Sequence, residues 1–167
     1  DTLPKDIQWH MIGHLQSNKV KFIAPFVHLI HAVDSQKLLK EIDKQGRKCE
    51  RIINVLLQVH IAQEDSKFGL SQETLTELTE SIENYKNVQV CGLMGMATNT
   101  SDNTIVVKEF ASLKSIFDDL KKGVFKAQDA FKEISMGMSG DYKIAIEQGS
   151  TMVRVGSSIF GARNYTH

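Results

Sequence analysis

The sequence predicts an α/β fold built on parallel strands, and three observations support this class. Apolar segments rich in β-branched residues recur along the 167 residues, and amphipathic segments of helical length separate them. The segment Ile52–Ile61 is almost continuously apolar, as is typical of a strand that is covered on both faces. Small residues at Ser135–Ser139 and Gly149–Gly161, near the last two predicted strands, predict turns that bind an anion.

Strands are predicted wherever a short apolar segment is bounded by polar or small residues. They are Gln8–Ile12, Leu29–Val33, Ile52–Ile61, Gln89–Met94, Glu133–Met138 and Met152–Gly156. They alternate with helices, and neither a linker nor a change of composition divides the chain. We therefore expect a single domain over residues 1–167.

The predicted helices fill the intervals between strands, and capping residues set several of their ends. Ser35 is a suitable N-cap, and Gly46 is expected to end the helix that Ser35 begins. The segment Phe125–Lys132 is either a further helix or a loop that crosses to the next strand. The predicted helices are Gln16–Phe26, Ser35–Gln45, Ser71–Tyr85, Thr104–Lys121 and Asp141–Gln148.

Phosphate-type turns after the last strands are typical of a TIM (β/α)8 barrel. No Gly-x-Gly-x-x-Gly pattern follows the first predicted strand, which disfavours a dinucleotide-binding fold. A barrel needs eight strands and usually about 250 residues, whereas six strands are predicted here. The chain begins at Asp1 without an initiator methionine. We therefore expect only about six βα units, strands three to eight of a barrel, with the shortfall at the N-terminal end.

The bulk composition excludes several functional classes. Twenty basic and twenty acidic residues give a net charge of zero, so the chain lacks the basic footprint expected of a nucleic-acid-binding protein. No apolar segment approaches the length of a membrane helix. Cys49 and Cys91 lack metal-ligand spacing and are interpreted as reduced packing residues, which predicts a cytoplasmic protein.

Several segments, in this order along the chain, together resemble the pyridoxal phosphate homeostasis protein family. They are Trp9–Lys19, Asp65–Gly69, Gly92–Met94, Ser135–Ser139, Gly149–Gly156 and Phe160–Arg163. The resemblance implies a barrel of the alanine racemase type that binds pyridoxal 5′-phosphate and takes part in cofactor homeostasis.

The resemblance also implies a covalent anchor that this sequence is not expected to supply. Members of the family hold the cofactor on a lysine at the end of the first barrel strand, in a segment that precedes the Trp9-His10 motif. No such segment occurs in these residues, so we expect only noncovalent binding. Lys67 is an unsuitable substitute because it lies in a charged loop, which it is expected to order.

The resemblance assigns the phosphate to Ser139 and to the turn at Gly156 and Ser157. Serine hydroxyls and turn amides would donate to phosphate oxygens. The alternative from the residues alone is ordinary helix capping and turn chemistry.

Arg154 resembles the arginine that faces the pyridine nitrogen, although a structural ion pair is the alternative. Met94 and Met136 either line the ring pocket or fill the core. Asn18, with Lys19 after it, either shapes the mouth of the site or begins a solvated helix. The histidines are not expected to form a metal site, because no matching acidic partners accompany them. They include His10, His14, His28, His31 and His60.

Three functions remain open from the sequence. The chain is a cofactor carrier rather than a catalyst, or a racemase-like enzyme acting on amino acids, or an incomplete barrel that acts through association. An enzyme would need a lysine and a second acid–base group, and neither is identified. Unpaired edges at Gln8–Ile12 and Met152–Gly156 would favour self-association or a complementing N-terminal segment.

Overall fold

A single parallel sheet organises the chain in the computed structural model, which describes residues 3–4, 6–63 and 68–161. Its six strands follow one another in space in the order of the sequence, and every neighbouring pair is parallel. The strands are β1 (His10–Met11), β2 (Leu29–Val33), β3 (Ile53–Gln58), β4 (Val88–Met94), β5 (Glu133–Met138) and β6 (Met152–Arg154). The sheet forms an open half-barrel, so the predicted six βα units are confirmed.

Helices or helical turns connect the strands. The α-helices are α1 (Val20–Ile23), α2 (Gln36–Lys48), α3 (Gln72–Glu80), α4 (Asn103–Lys122), α5 (Tyr142–Glu147) and α6 (Ser157–Phe160). Two 3₁₀ turns, Ser17–Lys19 and Ile82–Asn84, precede α1 and follow α3. The predicted Gln16–Phe26 helix is therefore a 3₁₀ turn followed by a single α-turn. No helix among the described residues is long and apolar enough to cross a membrane.

Side-chain caps explain the starts of α2, α3 and α4, but the predicted end of α2 is wrong. The Ser35 hydroxyl accepts a hydrogen bond from the Leu38 amide, as expected of an N-cap. Gly46 lies inside α2, which continues to Lys48. An added Cβ at Gly46 would lie 2.8 Å from the Asn87 carbonyl oxygen. The glycine permits a close approach of backbone to helix, and it does not end the helix.

Two apolar clusters lie on opposite faces of the sheet. The larger packs strand residues such as Ile30 and Val55 against helix residues such as Leu39 and Phe110. The smaller contains strand residues alone, namely Leu29, Ala32, Leu56 and Met94, with Met96 and Met152 among the side chains at its margin. The face without helices is therefore the concave face of the half-barrel, and it is the face available to a ligand.

Phe125–Lys132 forms turns and irregular chain, so the loop alternative is confirmed. The Phe125 and Phe131 rings stack with centroids 4.2 Å apart, and both side chains are fully buried. The loop thus anchors itself in the core before β5 begins.

Candidate functional site

A cleft of about 840 Å³ opens at the carboxyl ends of the strands, where α/β proteins usually place their ligands. It combines side chains from the start of the chain with the turns after β5 and β6. Its lining residues are His10, Ile12, Gly13, His31, Met96, Met138–Gly140 and Met152–Ser157. Four of the predicted site residues, Ser139, Arg154, Gly156 and Ser157, meet in this cleft.

The turns after β5 and β6 are joined through the Ser139 hydroxyl. Its oxygen accepts hydrogen bonds from the Gly156 amide at 3.2 Å and the Ser158 amide at 3.3 Å. The first turn is itself held by Asp141, whose carboxylate accepts from the Met138 amide. This arrangement holds the Ser139 and Ser157 hydroxyls at one end of the cleft.

Arg154 projects from β6 across the sheet, and its guanidinium is held by neutral oxygens. Nη1 donates to the Ser135 carbonyl at 2.8 Å and to the Ser135 hydroxyl at 2.9 Å, and Nη2 donates to the Gly95 carbonyl at 3.1 Å. Burial lowers the pKa of Arg154 to about 10, which leaves the guanidinium charged at neutral pH. The ion pair considered from the sequence is not present among the described residues.

Two histidines extend this network. The His31 Nδ1 atom lies 2.9 Å from the Ser135 hydroxyl, and its Nε2 atom lies 3.0 Å from Nδ1 of His10. Burial, followed by the nearby charges of His10 and Arg154, lowers the pKa of His31 to about 3. His31 is therefore neutral at physiological pH. Burial and the neighbouring His28 also lower the pKa of His10.

The remaining predicted site residues lie outside the cleft lining. Met136 is fully buried in the cluster between sheet and helices, so it fills the core, and Met138 lines the cleft instead. Met94 is buried in the concave-face cluster beside Met96 and Met152, beneath the cleft. Asn18 is exposed in the first 3₁₀ turn. Lys67 lies outside the described residues.

Sequence reasoning missed the part that His31 and Ser135 play together. The two residues are 104 positions apart, so no local spacing could join them. One signal was available: a histidine in the middle of the apolar strand Leu29–Val33 must find a hydrogen-bond partner when it is buried.

Metal-ligating side chains are not clustered in the part of the chain that the structure describes. No three His, Cys, Asp or Glu side chains there are grouped as they would be around a metal ion. Cys49 and Cys91 are both half-buried free thiols.

Comparison with known proteins shows which family the chain belongs to. A model of the alanine racemase N-terminal domain matches residues 5–164. The pyridoxal phosphate homeostasis protein of Pasteurella multocida is 37% identical over 160 residues, which are 96% of this chain and 68% of that protein. The chain belongs to the pyridoxal phosphate homeostasis protein family. The relative of that name from Aquifex aeolicus is 39% identical, and the match covers 96% of this chain and 69% of that protein.

Solved structures agree with this assignment. PipY of Synechococcus elongatus, solved with PLP bound, is 31% identical with a TM-score of 0.84, over 95% of this chain and 72% of that one. An unknown protein from Bifidobacterium adolescentis is 34% identical with a TM-score of 0.86, over 92% of this chain and 61% of that one. The alanine racemase of Bartonella henselae shares the fold alone, at 15% identity and a TM-score of 0.67 over 99% of this chain and 44% of that one.

Proposed function

We propose that this chain binds pyridoxal 5′-phosphate in the cleft and serves in homeostasis of that cofactor as a carrier rather than as a catalyst. One observation carries the proposal. The Ser139 and Ser157 turns and the Arg154 guanidinium line the same cleft, in a chain whose relative PipY has been solved with PLP bound. A phosphate at one end and an aromatic ring nitrogen at the other are the two features that such a cleft would recognise.

The donor set suits a phosphate. The Ser139 and Ser157 hydroxyls can donate to phosphate oxygens, and no carboxylate among the described residues lines the cleft. The Gly156 and Ser158 amides already donate to the Ser139 oxygen. An added Cβ at Gly156 would meet no atom within 4 Å, so the glycine leaves open space beside these donors. A phosphate oxygen can approach the backbone in that space, which a side chain would fill.

Arg154 supports a carrier role because its guanidinium stays positively charged at neutral pH. When bound, pyridoxal phosphate supplies an aldehyde and a ring that can withdraw electrons from an attached carbon. A guanidinium beside the ring nitrogen donates a hydrogen bond and cannot act as an acid, so that nitrogen stays unprotonated. An unprotonated ring withdraws electrons poorly, so carbanion chemistry on an attached amino acid would be slow.

The binding test compares pyridoxal 5′-phosphate with pyridoxal by isothermal titration calorimetry. We expect the phosphate ester to bind and pyridoxal to bind at least about tenfold more weakly, because charged hydrogen bonds to the phosphate are lost. Ser139→Ala should lower the affinity for the ester about tenfold. Ser115→Ala, an exposed serine on α4, is the matched control and should leave it unchanged.

Two results would count against this proposal. Equal affinity for pyridoxal and its phosphate ester would exclude a phosphate site. Racemisation of a single-enantiomer amino acid by the chain with added cofactor would favour the enzyme alternative.

Attachment is tested separately. We propose that these 167 residues hold the cofactor noncovalently, so borohydride treatment should leave no adduct on the intact mass. A reduced adduct mapped to one lysine, Lys67 for example, would contradict noncovalent binding.

The third function open from the sequence is association through the sheet edges. Among the described residues, β1 and β6 each have one strand neighbour, which leaves unpaired backbone groups at both edges of the sheet. We propose that another copy or a complementing segment pairs there.

A further inference from the structure

We propose that His31 and Ser135 are positioning residues, which hold the Arg154 guanidinium in place through a hydrogen-bond chain of fixed direction that runs from Arg154 to His10. The inference rests on the proposed function, because the guanidinium is the group assigned to the ring of the ligand. It goes beyond that function in naming what orients the guanidinium.

The direction of the hydrogen-bond chain follows from the donors at Ser135. This side chain is fully buried, and among the described residues its hydroxyl has two hydrogen-bond partners, Arg154 and His31. Arginine can only donate, so the Ser135 oxygen accepts from Nη1. The hydroxyl proton must then point at His31, because a buried donor without an acceptor is costly.

The direction then passes through His31 to His10. His31 accepts at Nδ1, and a neutral imidazole that accepts at one nitrogen carries its proton on the other. His31 Nε2 therefore donates to His10 Nδ1. Neutral His10, accepting at Nδ1, carries its own proton on Nε2. Each hydrogen bond of the chain fixes the next, and its far end is a residue that lines the cleft.

The hydrogen-bond chain orients the Arg154 guanidinium without neutralising its charge. Three of the five N–H groups of Arg154 donate to the Ser135 hydroxyl and to two backbone carbonyls. The backbone holds the Ser135 and Gly95 carbonyls in place. The Ser135 hydroxyl, in contrast, can rotate, and it presents its oxygen to Arg154 only while its proton is donated to His31. Two N–H groups have no partner among the described residues and remain for a ligand.

Three variants separate positioning from general damage. His31→Leu removes the acceptor for the Ser135 proton, and Ser135→Ala removes the hydroxyl itself. His31→Asn keeps an acceptor, its amide oxygen, near the place of Nδ1, and serves as the conservative variant. Thermal unfolding of each variant checks that it is folded before binding is measured.

Two ligands make the readout specific. Pyridoxal 5′-phosphate has the ring nitrogen, and benzyl phosphate has a ring and a phosphate without it. We expect His31→Leu and Ser135→Ala to bind pyridoxal 5′-phosphate about tenfold more weakly, with His31→Asn within about twofold of the wild type. Benzyl phosphate should bind all four proteins equally.

Nitrogen NMR of the ligand-free chain gives a second readout. His31 should show an unprotonated Nδ1 and a protonated Nε2, and the opposite tautomer would overturn the directed chain. Equal losses of affinity for both ligands would overturn the positioning role of His31 and Ser135 but not the proposed function. Wild-type affinity of His31→Leu for pyridoxal 5′-phosphate would do the same. If the wild-type chain binds neither ligand, the proposed function fails and the inference fails with it.

Discussion

Arg154 is a cation whose hydrogen-bond acceptors in the described structure are neutral: the Ser135 hydroxyl and two backbone carbonyls. A carboxylate partner would cancel the charge that a ligand could use. Neutral acceptors fix the geometry of the guanidinium and leave its charge in the cleft. At the residue scale, this contact is the strongest physical argument for a ligand site.

Replacing Arg154 should weaken ligand binding specifically. We expect Arg154→Gln to lower the affinity for pyridoxal 5′-phosphate at least about tenfold in calorimetry, because one charge-assisted hydrogen bond is lost. Arg51 provides the control, since its guanidinium also donates to backbone carbonyls, those of Ala24 and Val27, outside the cleft. Arg51→Gln should lower stability and leave affinity unchanged, and equal affinity losses in the two variants would contradict the assignment.

His31 should make the stability of the fold depend on pH. Its pKa in the folded chain is lowered to about 3, so the unfolded chain binds the proton more readily. The stabilisation is fully present above about pH 6.5 and is lost as the pH falls toward about 3. We measure the free energy of unfolding with urea between about pH 7 and 4.5. As the pH falls, that of the wild type should decrease by up to about 1.4 kcal/mol per pH unit more than that of His31→Asn. Parallel pH dependences of the two proteins would contradict a buried neutral His31.

At the scale of elements, helix α2 is fitted closely to the chain that precedes β4. Asp43 accepts hydrogen bonds from the backbone and side-chain nitrogens of Asn87, and Gly46 lies against the Asn87 carbonyl. This packing places α2 against the sheet at the end opposite the cleft. It also explains why a glycine is used in the interior of a helix.

Gly46→Ala should destabilise the protein, although alanine is the better helix former by about 1 kcal/mol. The new Cβ would lie 2.8 Å from the Asn87 carbonyl oxygen and 2.9 Å from that of Arg51, and both are backbone atoms. We expect a loss of about 2 kcal/mol in the free energy of unfolding, measured with urea. Ser115→Ala, exposed on α4, should instead gain a few tenths of a kcal/mol. If Gly46→Ala were more stable than the wild type, the backbone at Asn87 and Arg51 would have moved away from the new Cβ without cost, which would contradict this prediction.

Much of this element structure could be predicted from the sequence, because apolar runs and caps are local signals. The Leu29–Val33 and Glu133–Met138 strands have their predicted bounds. β1 is shorter than predicted, with two residues paired to β2 alone. The end of α2 was missed because Gly46 serves a contact with Asn87, distant in sequence. The His31–Ser135 contact could not be predicted for the same reason, because the two residues are distant in sequence. The cleft residues near β6 could be predicted, because they are close in sequence to their turn.

At the scale of the whole molecule, the sheet that the structure describes has two open edges with apolar side chains near them. Trp9, just before β1, is 43% exposed, and Phe160 on α6 is 86% exposed. Unpaired strand edges flanked by apolar surface favour association.

We therefore expect the isolated chain to sediment above its own mass of 18.7 kDa, increasingly so at higher concentration. The double variant Trp9→Lys and Phe160→Lys should sediment closer to 18.7 kDa at the same concentration, because charge beside an edge opposes pairing. A monomer of unchanged mass at all concentrations would contradict association through the edges.

The most direct measurement of the central claim is a crystal structure of this chain with pyridoxal 5′-phosphate. We predict the phosphate against the Ser139 hydroxyl and the Gly156–Ser157 turn, with the ring nitrogen within hydrogen-bond distance of the Arg154 guanidinium. Cofactor bound elsewhere on the chain, or a ring nitrogen that turns away from Arg154, would contradict the account.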